Sequence, residues 1–162
     1  MRTILLITFV VILAFQAGCS KDPNRPDDLP KLYPVRITVT QEEKPLEGAT
    51  VTLSSKTPMK YGSCSAETNA SGVAVLKTYG FCGVPVGQYA VTVEKRGIEG
   101  ARESTTEDGL TIQSGGKVFQ YVDTQYTNEN SSPCSIDVTE KGAKDAFEVG
   151  APVHVFLMDM AG

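Results

Sequence analysis

Apolar and polar residues alternate along most of the chain beyond residue 34, with a period of two rather than 3.6. Val35, Ile37 and Val39 are separated by Arg36, Thr38 and Thr40, the pattern of a strand with one buried face. The polar run Gln41-Glu42-Glu43-Lys44-Pro45 predicts a turn, and Leu46, Ala49, Val51 and Leu53 continue into a second strand punctuated by Gly48. Residues 65–78 predict a hairpin about Asn69-Ala70-Ser71-Gly72, because Gly72 tolerates positive φ. Val73, Val75 and Lys77 are expected to share one face of it. Pro85-Val86-Gly87-Gln88-Tyr89 leads into a fourth strand at Ala90–Val93. Residues 94–117 are rich in Glu, Gly, Thr and Ser and break the rhythm. They predict a long surface loop with a short strand at Leu110–Ile112, and loops of that length are often functional. Strand character returns at Val118–Val122, Ser135–Thr139 and Phe147–Val149. The chain then closes on Val153, Val155 and Leu157, alternating with His154 and Phe156. No helical period persists beyond a turn or two. The expected fold is all-β: an antiparallel, Ig-like β-sandwich of about seven strands over residues 35–160.

The first residues follow a different pattern. After Met-Arg-Thr an apolar run extends from Ile4 to Phe15 and ends in Gln16-Ala17-Gly18-Cys19. A positive start, a short apolar centre and small residues at the end make residues 1–18 a secretory signal peptide. The run is shorter than the roughly 20 residues a spanning helix needs, so an uncleaved anchor is the weaker reading. Ala17-Gly18-Cys19 resembles the lipobox of bacterial lipoproteins, although Gln16 stands where that family usually has Leu or another aliphatic residue. The resemblance implies diacylglycerol on the Cys19 thiol, cleavage before it, and a lipid-anchored place in the cell envelope. Ser20 after Cys19 implies the outer membrane by enteric sorting rules. The alternative is an ordinary signal peptide that happens to end in Cys. Residues 19–34 carry Pro23, Pro26, Pro30 and Pro34 among charged residues. Proline fixes φ and removes a donor, so this stretch is expected to be an extended tether.

Composition sharpens the picture in two respects. Gly at 15 and Pro at 9 in 162 residues favour many turns and short strands. Net charge is −4, and −5 without residues 1–18, where Arg2 is the charged residue. An acidic chain with no basic patch has no electrostatic reason to bind nucleic acid.

Candidate chemistry is sparse. His154 is the one histidine, and no Ser-His-Asp or Cys-His set assembles around it, so no catalytic residue and no enzyme activity is expected. No Cys-x-x-Cys or His cluster suggests a metal, and no cofactor is implied. Beyond Cys19 the cysteines are Cys64, Cys82 and Cys134. In an oxidising compartment one disulfide is expected. Cys64 and Cys82 flank the predicted hairpin and are the favoured pair, closing a loop worth about 3 kcal/mol. Cys82–Cys134 is the alternative. Glu99, Glu103, Glu107 and Asp108 form an acidic cluster without calcium-loop spacing, best read as solvated loop.

The segments "KPLEGATVTL", "AETNASGVAVLKTY" and "GVPVGQYAVTVEK" resemble, in this order, the motifs of transthyretin-like (prealbumin-like) and carboxypeptidase-regulatory-like domains. Pro45, Gly48, Ala49 and Val51 carry the first motif. Thr68, Asn69, Gly72 and Val75 carry the second, and Pro85, Gly87, Tyr89, Val91 and Val93 the third. Cys134 stands where the family usually has Leu, which implies a buried, reduced thiol. The likeness covers about residues 31–150 and implies a sandwich of that type, with Tyr89 buried and its hydroxyl bonded at the domain edge. It does not extend to the transthyretin-like hydrolases, whose several His residues and closing Tyr-Arg-Gly-Ser are missing here.

Two roles follow. One is a monomeric, non-enzymatic envelope lipoprotein held to the membrane by its N-terminal lipid. Its sandwich would be a binding or structural module for an envelope protein or glycan, contacted through loops that include 94–117. The other is a surface lipoprotein of nutrient uptake that binds carbohydrate or another small ligand, for which Tyr61, Tyr79, Phe81 and Tyr121 would supply exposed rings.

Overall fold

A computed structural model describes residues 24–160. The predicted signal peptide, Cys19 and the start of the tether lie outside them. In chain order the strands are β1 (Val35–Gln41), β2 (Lys44–Pro45), β3 (Thr50–Ser55), β4 (Ser63–Glu67), β5 (Val73–Val75), β6 (Lys77–Thr78), β7 (Phe81–Cys82) and β8 (Gly87–Glu94). They continue as β9 (Arg96–Glu99), β10 (Arg102–Thr105), β11 (Thr111–Ser114), β12 (Lys117–Gln120), β13 (Ser135–Val138), β14 (Ala143–Glu148) and β15 (Val155–Asp159). A single 3-10 turn spans Thr124–Tyr126. The fold is an all-β sandwich, as the alternation predicts.

One layer has the order β13-β8-β3-β4-β6-β7. The other is built on β1, with β14 on one side and β2 and β5 on the opposite side. Pairing is antiparallel except between β1 and β14, which run parallel from Val35↔Ala143 to Thr40↔Glu148. The inward residues of both layers meet in one core. Val35, Ile37 and Val39 of β1 face Val51 and Leu53 of β3 and Tyr89, Val91 and Val93 of β8, all at most 1 % exposed. Leu53 is fully enclosed, so truncating it to Ala leaves a cavity and costs about 2–5 kcal/mol.

Turn chemistry fixes the crossings between layers. The Asn69 carboxamide oxygen accepts from the Ser71 and Val73 amides, and the Gly72 amide donates to the Asn69 carbonyl. Gly72 has φ +71°, and a Cβ there would lie 2.4 Å from the Val39 carbonyl oxygen, so only glycine fits. The predicted hairpin forms only at its far end, where Ser65 of β4 pairs with Lys77 of β6; the strand directly beyond the turn crosses to the other layer. β5 pairs with β1 in the other layer, with Ala74 opposite Ile37. Ala74 and Leu76 are therefore the buried residues, while Val75 and Lys77 point out. The buried Thr68 hydroxyl, a residue of the second motif, donates to the Leu46 carbonyl and accepts from the Ala49 amide, clamping the turn before β3.

Three further expectations change. Cys64, Cys82 and Cys134 are all free thiols, so the Cys64–Cys82 disulfide is not formed, nor is Cys82–Cys134. The register gives the reason. Ser65 pairs with Lys77 and Thr78 with Phe81, which places Cys82 on the exposed row of Ser65 and Lys77. Cys64 and Thr78 occupy the next row and face the core, and a shift of one residue along a strand changes the face. Cys134 lies on the inward row of Cys64, reached through Val91 and Leu53. Three strand spacings separate these two sulfurs' backbones, about 14 Å, far beyond disulfide reach.

Residues 94–117 are not a loop. They run up β9 and β10 and return along β11 and β12 as a long hairpin, with pairs from Arg96↔Gln120 to Thr105↔Thr111. β15 joins β12 on its other side, giving a separate sheet of order β15-β12-β9. Residues 24–34, read as tether, pack against the sandwich. Leu29 and Tyr33 are buried, Tyr33 and Val84 exchange two backbone hydrogen bonds of 2.9 Å, and Asp28 pairs with Lys60 and accepts from the Tyr61 hydroxyl.

Candidate functional site

The side chains with chemistry to offer gather on one face of the sheet β15-β12-β9. Strand periodicity sets Lys117 and Phe119 of β12 and the next outward residue, Tyr121, on the same side. Register brings Glu99 and Asp159 beside Lys117, and Gly97 and Phe156 beside Phe119. The bare backbone at Gly97 is what admits Tyr121, because a Cβ there would lie 2.6 Å from Tyr121 Cε2.

The rings pack in sequence. Phe119 and His154 stack with centroids 4.0 Å apart and planes 13° apart. Phe156 meets Phe119 edge to face at 5.9 Å, and Tyr121 tilts against His154 at 5.7 Å. Such contacts are worth about 0.5–1.5 kcal/mol each beyond the area they bury. Phe156 nevertheless remains 50 % exposed.

Glu99 orders the polar part. Its Oε1 accepts from the Tyr121 hydroxyl at 2.8 Å and lies 2.9 Å from His154 Nε2. The Tyr121 hydroxyl first, and His154 second, hold the Glu99 carboxyl below its ordinary range. The same bond raises the Tyr121 phenol. Glu99 is thus an ionised acceptor at neutral pH, and both of these contacts are made by one oxygen, Oε1. A cleft of about 380 Å³ adjoins it, lined by Glu99, Gly100, Gly116, Lys117, Asp159 and Met160. That size lies within the range of small-molecule sites.

The opposite face of this sheet carries an apolar row beside Arg96 and the buried Gln120. Ile98, Val118 and Met158 form one row, with Ile98 46 % and Met158 54 % exposed. Large apolar groups on both faces outside the core are a mark of interaction surfaces. β15 carries a bulge at Leu157, where its register on β12 slips, and bulges discourage edge-to-edge pairing.

The predicted residues are dispersed. Cys19 lies outside the described residues. Cys64 and Cys134 are in the core and Cys82 on the surface. His154, immediately before β15, is half exposed, stacked on Phe119 and bonded to Glu99. Of the acidic cluster, Glu99 belongs to the aromatic face, while Glu107 and Asp108 stand at the hairpin tip. Tyr61 is buried, Tyr79 packs edge-on against it at 5.3 Å, and Phe81 lies beneath Arg25. These three surround the docked segment 24–34, and only Tyr121 joins the site. Phe119, Phe156 and the His154–Glu99 pairing were not singled out. Phe119-x-Tyr121 and His154-x-Phe156 are the available signals, since residues two apart in a strand share a face.

Two adjoining polar clefts of about 350 and 320 Å³ lie elsewhere, on the outer face of β3 and β8, and share Ser54, Glu129 and Asn130. Among the described residues no group of three or more His, Cys, Asp or Glu is placed to hold a metal ion, and no helix is long and apolar enough to cross a membrane. No family model, curated protein or solved structure matches the chain.

Proposed function

We propose that this chain is a non-enzymatic envelope lipoprotein, anchored by a lipid on Cys19, whose transthyretin-like sandwich is a monomeric binding module. The observation that carries the binding half is the sheet β15-β12-β9. It exposes Phe156, Ile98 and Met158 on strands that add no apolar side chain to the sandwich core. The anchor half rests on the apolar run before Ala17-Gly18-Cys19.

The first experiment takes the intact mass of the mature protein from a bacterial host beside a Cys19→Ala variant. A chain beginning at Cys19 with added diacylglycerol, lost in the variant, supports the anchor. An unlipidated, soluble chain removes it. The binding half is tested by a photo-crosslinking residue placed at position 156 and, as control, at 137 on the outer face of β13. Capture of an envelope component at 156 alone is expected, and no capture at either position together with no small ligand bound ends the reading.

The second reading, an accessory lipoprotein of nutrient uptake, is favoured by one feature: the exposed rings stand next to carboxylates.

A further inference from the structure

We infer that the aromatic face of β15-β12-β9 is a sugar-binding site that takes a neutral pyranoside. The inference rests on the binding-module reading and names the ligand class for that surface.

The argument begins with what a pyranose needs. One side of the ring is a patch of C–H groups that settles on the electron-rich face of an aromatic ring. Its rim is a set of hydroxyls that donate best to ionised carboxylates. Both parts are present here at one sheet end. His154 is held flat by its stack on Phe119 and fixed in rotation by Glu99. The His154 side chain and Phe156 are each about half exposed. The ionised Glu99 carboxylate borders the rings, and Asp159 faces it across Lys117 in the adjoining cleft. Because the rings are locked before a ligand arrives, binding orders few side chains.

Other ligand classes fit less well. A cation would want rings arranged around an empty centre, whereas these rings pack on one another. Lys117 also sits 5.9 Å from the Phe156 ring and repels added positive charge. A strand from another protein would need a straight edge on β15, and the slip at Leu157 disturbs that edge.

The test uses the full chain in detergent, titrated with short neutral oligosaccharides of glucose, mannose, galactose, xylose and N-acetylglucosamine. At least one is expected to bind. Phe156→Ala and His154→Ala should each weaken it by about tenfold or more, while Phe156→Tyr keeps it and Leu110→Ser at the hairpin tip leaves it unchanged. Thermal melts confirm that each variant is folded. Two results overturn the inference: no sugar binds, or one binds equally well to Phe156→Ala and His154→Ala, which moves the site to the polar clefts about Ser54 and Asn130. Crosslinking at position 156 separates the two readings. Capture of an envelope protein with no sugar bound ends the sugar site and leaves the binding module standing, and the absence of both ends both.

Discussion

Tyr121 lies against the backbone of Gly97 so closely that a Cβ on Gly97 would be 2.6 Å from the ring. The contact couples β9 to the segment after β12 and sets the phenol to donate to Glu99. Gly97→Ala must displace a ring wedged beside His154, and overpacking of this kind costs about 1–3 kcal/mol. Urea unfolding of Gly97→Ala, Tyr121→Ala and the double variant measures the coupling. The double variant should be more stable than the sum of the two single losses predicts, because removing the ring removes the clash. Additive losses would mean that the ring does not sit on Gly97.

The cysteines give an independent check on register. Cys82 is exposed while Cys64 and Cys134 are buried. In the folded protein iodoacetamide should label Cys82 rapidly and spare the other two, as peptide mapping would show, and all three should react in urea. Reductant should leave the melting temperature unchanged, whereas loss of a loop-closing disulfide would cost about 3 kcal/mol. A Cys82 that is labelled only after reductant is added, together with a reductant-sensitive melt, would restore a disulfide and overturn this arrangement.

That case shows what was legible in the chain and what was not. Val35-x-Ile37-x-Val39 and Tyr89-x-Val91-x-Val93 announce strands because one face of each is dry and the other wet. Asn69 and Gly72 announce their turn because few residues meet its φ values. The partner of a strand is written less locally. Nothing in Val73-Ala74-Val75 says that it leaves β4 for β1, and the buried residue proves to be the smaller Ala74. The segment Arg102-Glu103-Ser104-Thr105 is exposed throughout. Its strand therefore has no dry face to betray it, and a polar sequence is read as loop. The aromatic site was hidden for a related reason. Glu99 and His154 are 55 residues apart in sequence, and only the register of β9 and β15 on β12 brings them together.

Alkaline pH should unfold the protein earlier than its surface groups require. Burial pushes the Cys64 thiol up from 9.0 to about 11 and the Tyr89 phenol up from 10.0 to about 12. The Tyr89 hydroxyl also donates to the Pro85 carbonyl at 3.0 Å. Both folded values lie above the unfolded ones, so the folded state holds these protons more tightly. Their contribution is intact below pH 9 and falls as pH rises, from 9 to 11 for Cys64 and from 10 to 12 for Tyr89. Each shift is worth on the order of 2–3 kcal/mol. Stability measured by urea across this window should decline steadily. Tyr89→Phe should be less stable at pH 7 by about 1–3 kcal/mol, since the Pro85 carbonyl loses its donor, and should lack the upper part of the alkaline decline. A flat profile from pH 9 to 12 would show that neither group is buried as described.

The hairpin tip can be removed without harm to the sandwich. Arg102 to Thr105 are exposed, as are Leu110 and Thr111, and none of the described side chains from 101 to 115 belongs to the core. Glu99 pairs with Lys117 at the base, so Gly100 and Gly116 face each other and accept a two-residue Asn-Gly turn of the type that closes hairpins. Replacing residues 101–115 by that turn shortens a connection without uncovering apolar surface, so stability in urea should change by less than about 0.5 kcal/mol. The opposite case is β15. Ending the chain after His154 strips Phe156 from Phe119 and leaves the backbone of β12 unpaired on one side. That truncation should lower stability by more than about 1 kcal/mol and abolish whatever binds at position 156. If the two deletions had equal effects, the division of this sheet into a dispensable tip and a packed, working base would be wrong.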